Sequence, residues 1–549
     1  MRVVCSVLIL LASLAESRAQ EVLSTDLFSP GSKLATVQFE GELAFDFSDA
    51  HIKQLSHVDF LPDGAPALPI LAVTLIADGQ DLIPVSRGLR TTDDPVWDYF
   101  ISPGKSWQEG SASLASLPLT LIYRPTGCTH NGLIRFRYSA TEVTDARILM
   151  GQETCHFLRA DISGRGKVTY RQSKLSETNE IRTAWRTEKR ARLRTFSLDE
   201  FAVDHPAVDI DLFKTGLPTD HDLSTFGFYY MGKHYNAGCM TRHGPYPYCE
   251  QMLMTSFSTA KTAYAAIALM TMAQEFGDEV YDATILSLLP EAEKAKGRWH
   301  DVTLNHIGDM ASGNFSNSSP MADPGPGSFY MDLDRDAKLA AAFLWPNAKP
   351  AGEQFVYQTA DTFIQINAMD AYLQKQHTDF TDSFDYLVAR VLSPLTVQPE
   401  VWFSRRTRDD GTANSGTAFG GMGMWWTADA IVKVARLMLL DDGVIDGKQV
   451  LHPMALSSTM QRNSQDRGMQ MGFRGYMYNN NTWALPVRDL GEQFSCDPYV
   501  TLMSGLSGVR VFMMPNGLIF YYFNDAQAFP TIEAILAADK LEAFCKADS

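Results

Sequence analysis

A serine and a lysine three residues apart at the start of a helix can do nucleophilic chemistry, and Ser258-Thr-Ala-Lys261 has that spacing. One helical turn carries the amine beside the hydroxyl, where it can take the hydroxyl proton as the oxygen attacks a carbonyl. Free backbone N–H groups at a helix start can also stabilise the oxyanion that such an attack creates. The spacing alone is weak. It recurs at Ser102-Pro-Gly-Lys105, where Pro and Gly mark a turn, and a lone Ser-x-x-Lys is usually an ordinary helix start.

The surroundings of Ser258 are more informative. From Ser258 to Gln274 the chain is small or apolar on nearly every face and stops before Gly277, the pattern of a helix buried inside a domain. Further on, the stretch from Pro350 to Thr362 runs from a turn through Tyr357 and Thr359 into a helix. Near the C-terminus, Ser504-Gly505-Leu506-Ser507-Gly508 opens a hairpin whose second strand follows the turn at Pro515-Asn516-Gly517. A last amphipathic helix is expected from Thr531 to Phe544.

Ser-x-x-Lys, a loop tyrosine and a glycine-lined strand, in this order, resemble the three motifs of the penicillin-recognising, β-lactamase-related serine hydrolases. Met310-Ala-Ser-Gly313, the run Phe419-Gly-Gly-Met-Gly-Met-Trp425-Trp426 and the turn Gly447-Lys-Gln-Val-Leu451 extend the resemblance over nearly the whole C-terminal half. In texture the chain is similar to the class C-like branch that includes 6-aminohexanoate-oligomer hydrolases and related esterases.

The resemblance implies an α+β fold of the β-lactamase/transpeptidase type, an antiparallel sheet flanked by helices with a helical subdomain. It implies that Ser258 forms an acyl-enzyme, that Lys261 and Tyr357 share the proton transfers, and that backbone N–H groups of Ser258 and Leu506 form the oxyanion hole. Gly505, Ser507, Thr359, Trp425 and Trp426 become candidate substrate contacts. No cofactor and no metal is required, and no Cys-x-x-Cys or His-Glu-x-x-His spacing points to zinc. Two departures matter. Thr359 stands where many relatives carry asparagine, which alters or removes a bond to substrate or lysine. Met503 stands where β-lactamases and carboxypeptidases place Lys or His, so a charge-assisted bond to a substrate carboxylate is absent. The expected substrate is therefore a small molecule, peptide or polymer carrying an ester or amide. A D-alanyl carboxypeptidase or β-lactamase is an alternative, as is an inactive binding or structural protein on the same scaffold.

A chain of 549 residues exceeds what one core usually supports, so at least two domains must position these residues. Residues 20–210 hold short runs rich in β-branched and aromatic residues, such as Leu119 to Tyr123 and Leu133 to Tyr138, broken by turn residues. They read as a β-rich, sandwich-like accessory domain that contacts carbohydrate or docks on its neighbour. The basic patch Glu188 to Arg194 and the polar stretch to about Leu217 read as a linker, and residues 211–549 as the hydrolase domain. Residues 1–19 have the charged, apolar, small-residue order of a secretory signal, too short to span a bilayer, which makes the protein secreted or periplasmic.

The remaining signals fit an exported protein. A net charge of -17 argues against nucleic acid, which needs clustered positive charge, and no integral membrane segment is expected. With Cys5 in the signal, an even set of cysteines remains. Nearest-neighbour pairing gives Cys128–Cys155, Cys239–Cys249 and Cys496–Cys545, although spacing alone leaves connectivity open. Asn314, Asn317 and Asn480 lie in glycosylation sequons. Arg405, Arg406 and Arg408 read as a solvated charge run, and Asp361 and Asp429 as helix-start residues.

Overall fold

The computed structural model describes residues 24–56, 67–219, 222–321, 323, 329–330, 333–409, 414–472 and 475–545. The expected signal at residues 1–19 lies outside the described residues. Two sheets organise the rest, a 10-stranded one in the N-terminal part and a 9-stranded one in the C-terminal part.

The first sheet closes on itself. Glu40–Asp46 pairs on one side with Leu71–Asp78 and on the other with Ala160–Gln172, and the intervening ladders are all antiparallel. A closed barrel therefore replaces the expected sandwich. Alternation along each strand fits either architecture; the pairing of the first strand with the last decides between them, and closure removes both exposed edges. The strands Ala112–Tyr123 and Cys128–Tyr138 are buried on both faces. Their inward side chains fill the barrel, and their outer face is covered by the C-terminal part. Across that contact Asn131 Nδ2 donates to the Leu253 carbonyl at 2.8 Å, and the Tyr246 hydroxyl donates to the Gly132 carbonyl at 2.9 Å. One hydrophobic core runs without a break from the barrel into the helices beyond it.

The stretch read as a linker is instead ordered structure. The helix Thr178–Ala191 seats Trp185 on Ile76 and Ile83 of the barrel, and its indole N–H donates to Asp81 at 2.8 Å. Thr195–Ser197 is already the edge strand of the second sheet, paired in parallel with Lys233–Asn236, so that sheet begins upstream of residue 211.

The second sheet runs, in spatial order, Thr195–Ser197, Lys233–Asn236, Leu223–Tyr230, Ile519–Asn524, Val509–Met513, Tyr499–Gly505, Thr482–Pro486, Met477–Asn479 and Met469–Gln470. After its first pair it is antiparallel throughout. Successive side chains point to opposite faces. Phe512, Phe520 and Tyr522 pack on one side with Phe201, Phe213 and Ile535, while Val511, Met513, Tyr521 and Phe523 join the core on the other. Both faces are covered, which is why these strands read as nearly continuous apolar runs. The result is the α+β arrangement expected. Among the described residues no helix is long and apolar enough to cross a membrane. The three sulfur pairs are Cys128–Cys155, Cys239–Cys249 and Cys496–Cys545, each nearest in sequence.

Candidate active site

From Gln251 to Ala273 every residue is buried except one, the half-exposed Ser258. It sits where a short strand, Met254–Thr255, turns into the central helix. Phe257 makes that turn with φ of 41°, a left-handed conformation that a bulky residue adopts only when its surroundings hold it there. Two neighbours do so. The strand pairs with Trp425–Trp426, and Ser256 exchanges bonds with Met424, its N–H reaching the Met424 carbonyl at 2.9 Å and its hydroxyl oxygen accepting the Met424 N–H at 3.1 Å. On the opposite side the end of Tyr499–Gly505 closes in. A Cβ on Gly505 would lie 2.8 Å from the Ser256 carbonyl oxygen and 3.2 Å from the Ser258 nitrogen, so only glycine fits. Among the described residues, neither the Ser258 N–H nor the N–H of the exposed Leu506 has a hydrogen-bond acceptor. An anion could occupy both.

The helix after Ser258 starts as a wide π-helical turn, Lys261–Ala266, before narrowing to α-helix over Ile267–Phe276. Such widened turns cluster at functional sites because they re-aim side chains. Lys261 is 1% exposed, and its Nζ lies within hydrogen-bond reach of three oxygens: Ser258 Oγ at 3.1 Å, Thr359 Oγ1 at 3.0 Å and the Gly421 carbonyl at 3.3 Å. Gly421 must be a glycine, since a Cβ there would stand 2.8 Å from Thr359 Cγ2 and 3.3 Å from Lys261 Nζ. Tyr357 lies on the segment entering the helix Thr359–Lys375 and is fixed by the bond of Val356 N–H to the Met310 carbonyl at 2.9 Å. That bond gives Met310-Ala-Ser-Gly313 its structural task.

Tyr357 meets Lys261 with its ring. The amine lies 4.7 Å from the ring centroid, Trp483 stacks on the same tyrosine at 5.5 Å, and among the described residues the phenol forms no hydrogen bond with Ser258 or Lys261. The structure thus brings the serine and the amine into hydrogen-bond contact and places the tyrosine as an aromatic wall beside them. Thr359, in the place of the usual asparagine, keeps the bond to the lysine that the sequence alone left in doubt. Beside Ser504, a cavity of about 170 Å³ is lined by Met471, Tyr476, Trp483, Leu502 and Arg510.

Behind the site burial raises the pKa of two carboxyls. Asp361, in the first turn of Thr359–Lys375, is pushed up to about 7, against the opposing hydrogen bonds of Ser312 and Gln358. Asp309 is likewise pushed up to about 7 by burial, although the Asn480 N–H donates to it at 2.7 Å.

Several expected contacts are elsewhere. Trp425 and Trp426 are both buried: the indole of Trp425 donates to the Gly127 carbonyl at 3.0 Å against the barrel, and that of Trp426 donates to Thr259 Oγ1 at 3.0 Å. They clamp the turn at Ser258 from behind. Ser507 is fully buried and its hydroxyl accepts the His156 N–H of the barrel at 3.1 Å, which removes it as a substrate contact. Asn314 and Asn480 are buried too, Asn314 bonded to the Arg298 backbone at 2.9 and 3.0 Å, so of the three sequons only that of Asn317 is exposed. The arginine run is not a solvated face. Arg406 pairs with Asp382 and Asp385, and Arg405 lies over the Phe419 ring with burial pulling its guanidinium down to about 10. Asp429 does serve its helix start, and also accepts the Leu193 N–H at 2.7 Å.

Gly421, Trp483 and Asp323 belong to the site and were not singled out in the sequence. The Gly420-Gly421 pair was the available signal for a close backbone approach; the other two had none.

No protein-family model matches this chain, and no curated protein matches it. Solved structures to which it is similar include hydrolases, β-lactamases and a penicillin-binding protein. They include a D-stereospecific amidohydrolase from Streptomyces (14% identity, 60% of this chain and 98% of that one, TM-score 0.43). Others are EstCE1, a hydrolase with promiscuous acyltransferase activity (13%, 66% and 98%, TM-score 0.41), and a class C β-lactamase from Rhodobacter sphaeroides (15%, 60% and 97%, TM-score 0.40).

Proposed function

We propose that this protein is an exported serine hydrolase that cleaves an ester or amide bond through an acyl-enzyme on Ser258. The observation that carries the reading is Ser258, the one partly exposed residue in the buried stretch 251–273, with its hydroxyl 3.1 Å from a buried lysine amine. In the proposed reaction the Ser258 proton passes to Lys261 as Oγ attacks the carbonyl carbon, and the Ser258 and Leu506 N–H groups hold the resulting oxyanion. Collapse expels the alcohol or amine, which takes the proton from Lys261. Water then enters by the same route in reverse and releases the acid. Tyr357 supports the lysine charge through its ring.

Met503 is fully buried in the core and cannot offer a charge to a substrate carboxylate, which favours neutral esters and amides over β-lactams. The largely apolar cavity beside Ser504 fits an apolar acyl or leaving group. Three disulfides favour an oxidising compartment and hence export. The absence, among the described residues, of a hydrogen bond from the Tyr357 hydroxyl and the uncharged Met503 favour a second reading, a binding protein without turnover. Hydrolysis of a panel of p-nitrophenyl esters, linear amides and a chromogenic cephalosporin by wild type and Ser258→Ala separates the two. The catalytic reading expects wild-type turnover of an ester or amide and none by the variant; equal rates for both proteins would end it.

A further inference from the structure

We infer that Asp323 is a positioning residue that acts through the Thr359 hydroxyl to aim Lys261 at Ser258; the inference rests on the serine hydrolase reading above. The Asp323 carboxylate accepts the Thr359 N–H on Oδ1 at 2.8 Å and the Thr359 hydroxyl on Oδ2 at 2.7 Å, and Oδ2 also accepts the Tyr330 hydroxyl at 2.8 Å. A threonine hydroxyl has one proton. Because that proton is committed to Asp323, the side of Thr359 Oγ1 facing Lys261 carries lone pairs only, and the 3.0 Å contact with the amine has a fixed direction, nitrogen to oxygen.

The consequence concerns which way a neutral lysine points its lone pair. Thr359 Oγ1 and the Gly421 carbonyl, both held as acceptors, take two N–H bonds from Nζ. The third tetrahedral direction of the nitrogen faces Ser258 Oγ at 3.1 Å. In the ammonium that direction donates a proton; in the free amine it is the lone pair that receives the serine proton. An unanchored threonine hydroxyl could rotate and donate to the amine instead, diverting the lone pair from the serine. An asparagine carbonyl at this position would be an acceptor by its own chemistry. A threonine becomes one only with a carboxylate behind it, so Thr359 and Asp323 together do the work of one amide oxygen.

The test is the rate at which a fluorophosphonate labels Ser258, measured against probe concentration for the full chain. Asp323→Asn and Thr359→Val each slow the maximal labelling rate by roughly tenfold or more, with half-saturation unchanged. Thr359→Ser, which keeps the hydroxyl, recovers most of the rate. Because the route from Asp323 to Lys261 runs through the Thr359 hydroxyl, adding Asp323→Asn to Thr359→Val costs far less than it does in wild type, with only the bonds of Asp323 to the Thr359 N–H and the Tyr330 hydroxyl left to lose. Additive losses in the double variant, or wild-type labelling by Asp323→Asn, would overturn the inference while leaving Ser258 as nucleophile. A wild-type protein that takes no label on Ser258 would instead strike down the hydrolase reading itself.

Discussion

The nitrogen of Lys261 is worth more to this account than any other atom but the hydroxyl beside it. Buried and within hydrogen-bond reach of three oxygens, it already lies 3.1 Å from the Ser258 hydroxyl. Lys261→Met, which keeps the stem and removes the amine, is expected to lower ester turnover by about 10²–10⁴-fold, the range for losing a positioned acid-base group, with little change in KM. A second residue-scale prediction concerns Asp361. Burial raises its carboxyl from 3.8 to about 7, so the folded protein holds a proton there that the unfolded chain gives up. The stability linked to that proton is fully present below pH 3.8 and is lost as pH rises through about 7. Denaturant unfolding of wild type and Asp361→Asn across pH 4.5 to 7.5 should therefore show the variant gaining on wild type as pH rises. A constant difference would contradict the assignment.

At the scale of elements, the site is a meeting of a helix start, a strand end and a glycine-rich segment, each approaching closer than a side chain allows. Gly505→Ala is expected to push the strand off the turn at Ser258, cutting ester turnover by about tenfold or more and lowering the unfolding midpoint as well. The helix itself was legible because Ala, Met and Ile occupy every face between Ser258 and Gln274, a composition that only burial explains. Its widened first turn was not, since nothing in Lys261–Ala266 distinguishes five-residue from four-residue bonding. Trp425 and Trp426 misled for a related reason. An aromatic pair before a helix looks the same whether it lines a cleft or clamps a turn, and only the bonds of their indoles to Gly127 and Thr259 tell the two apart. Thr195–Ser197 escaped notice because three residues in a polar stretch carry no period.

For the whole molecule, the continuous core and the polar contacts of Asn131, Tyr246 and Ser507 tie the barrel to the α+β part as one unit. Calorimetry at neutral pH is expected to show a single unfolding transition; two well-separated peaks would mean that the parts are energetically independent. The accessory β domain was legible from its runs and turns, but its closure depended on Glu40–Asp46 finding Ala160–Gln172, a pairing with no local signature. The outer face of its long strands is buried against the α+β part. The most direct test of the central claim is peptide mapping by mass spectrometry after brief exposure of the intact protein to an alkyl fluorophosphonate. One adduct is expected, on the peptide carrying Ser258, present in wild type and much slower to appear in Lys261→Met. An adduct on a different serine, or equal labelling of both proteins, would contradict it.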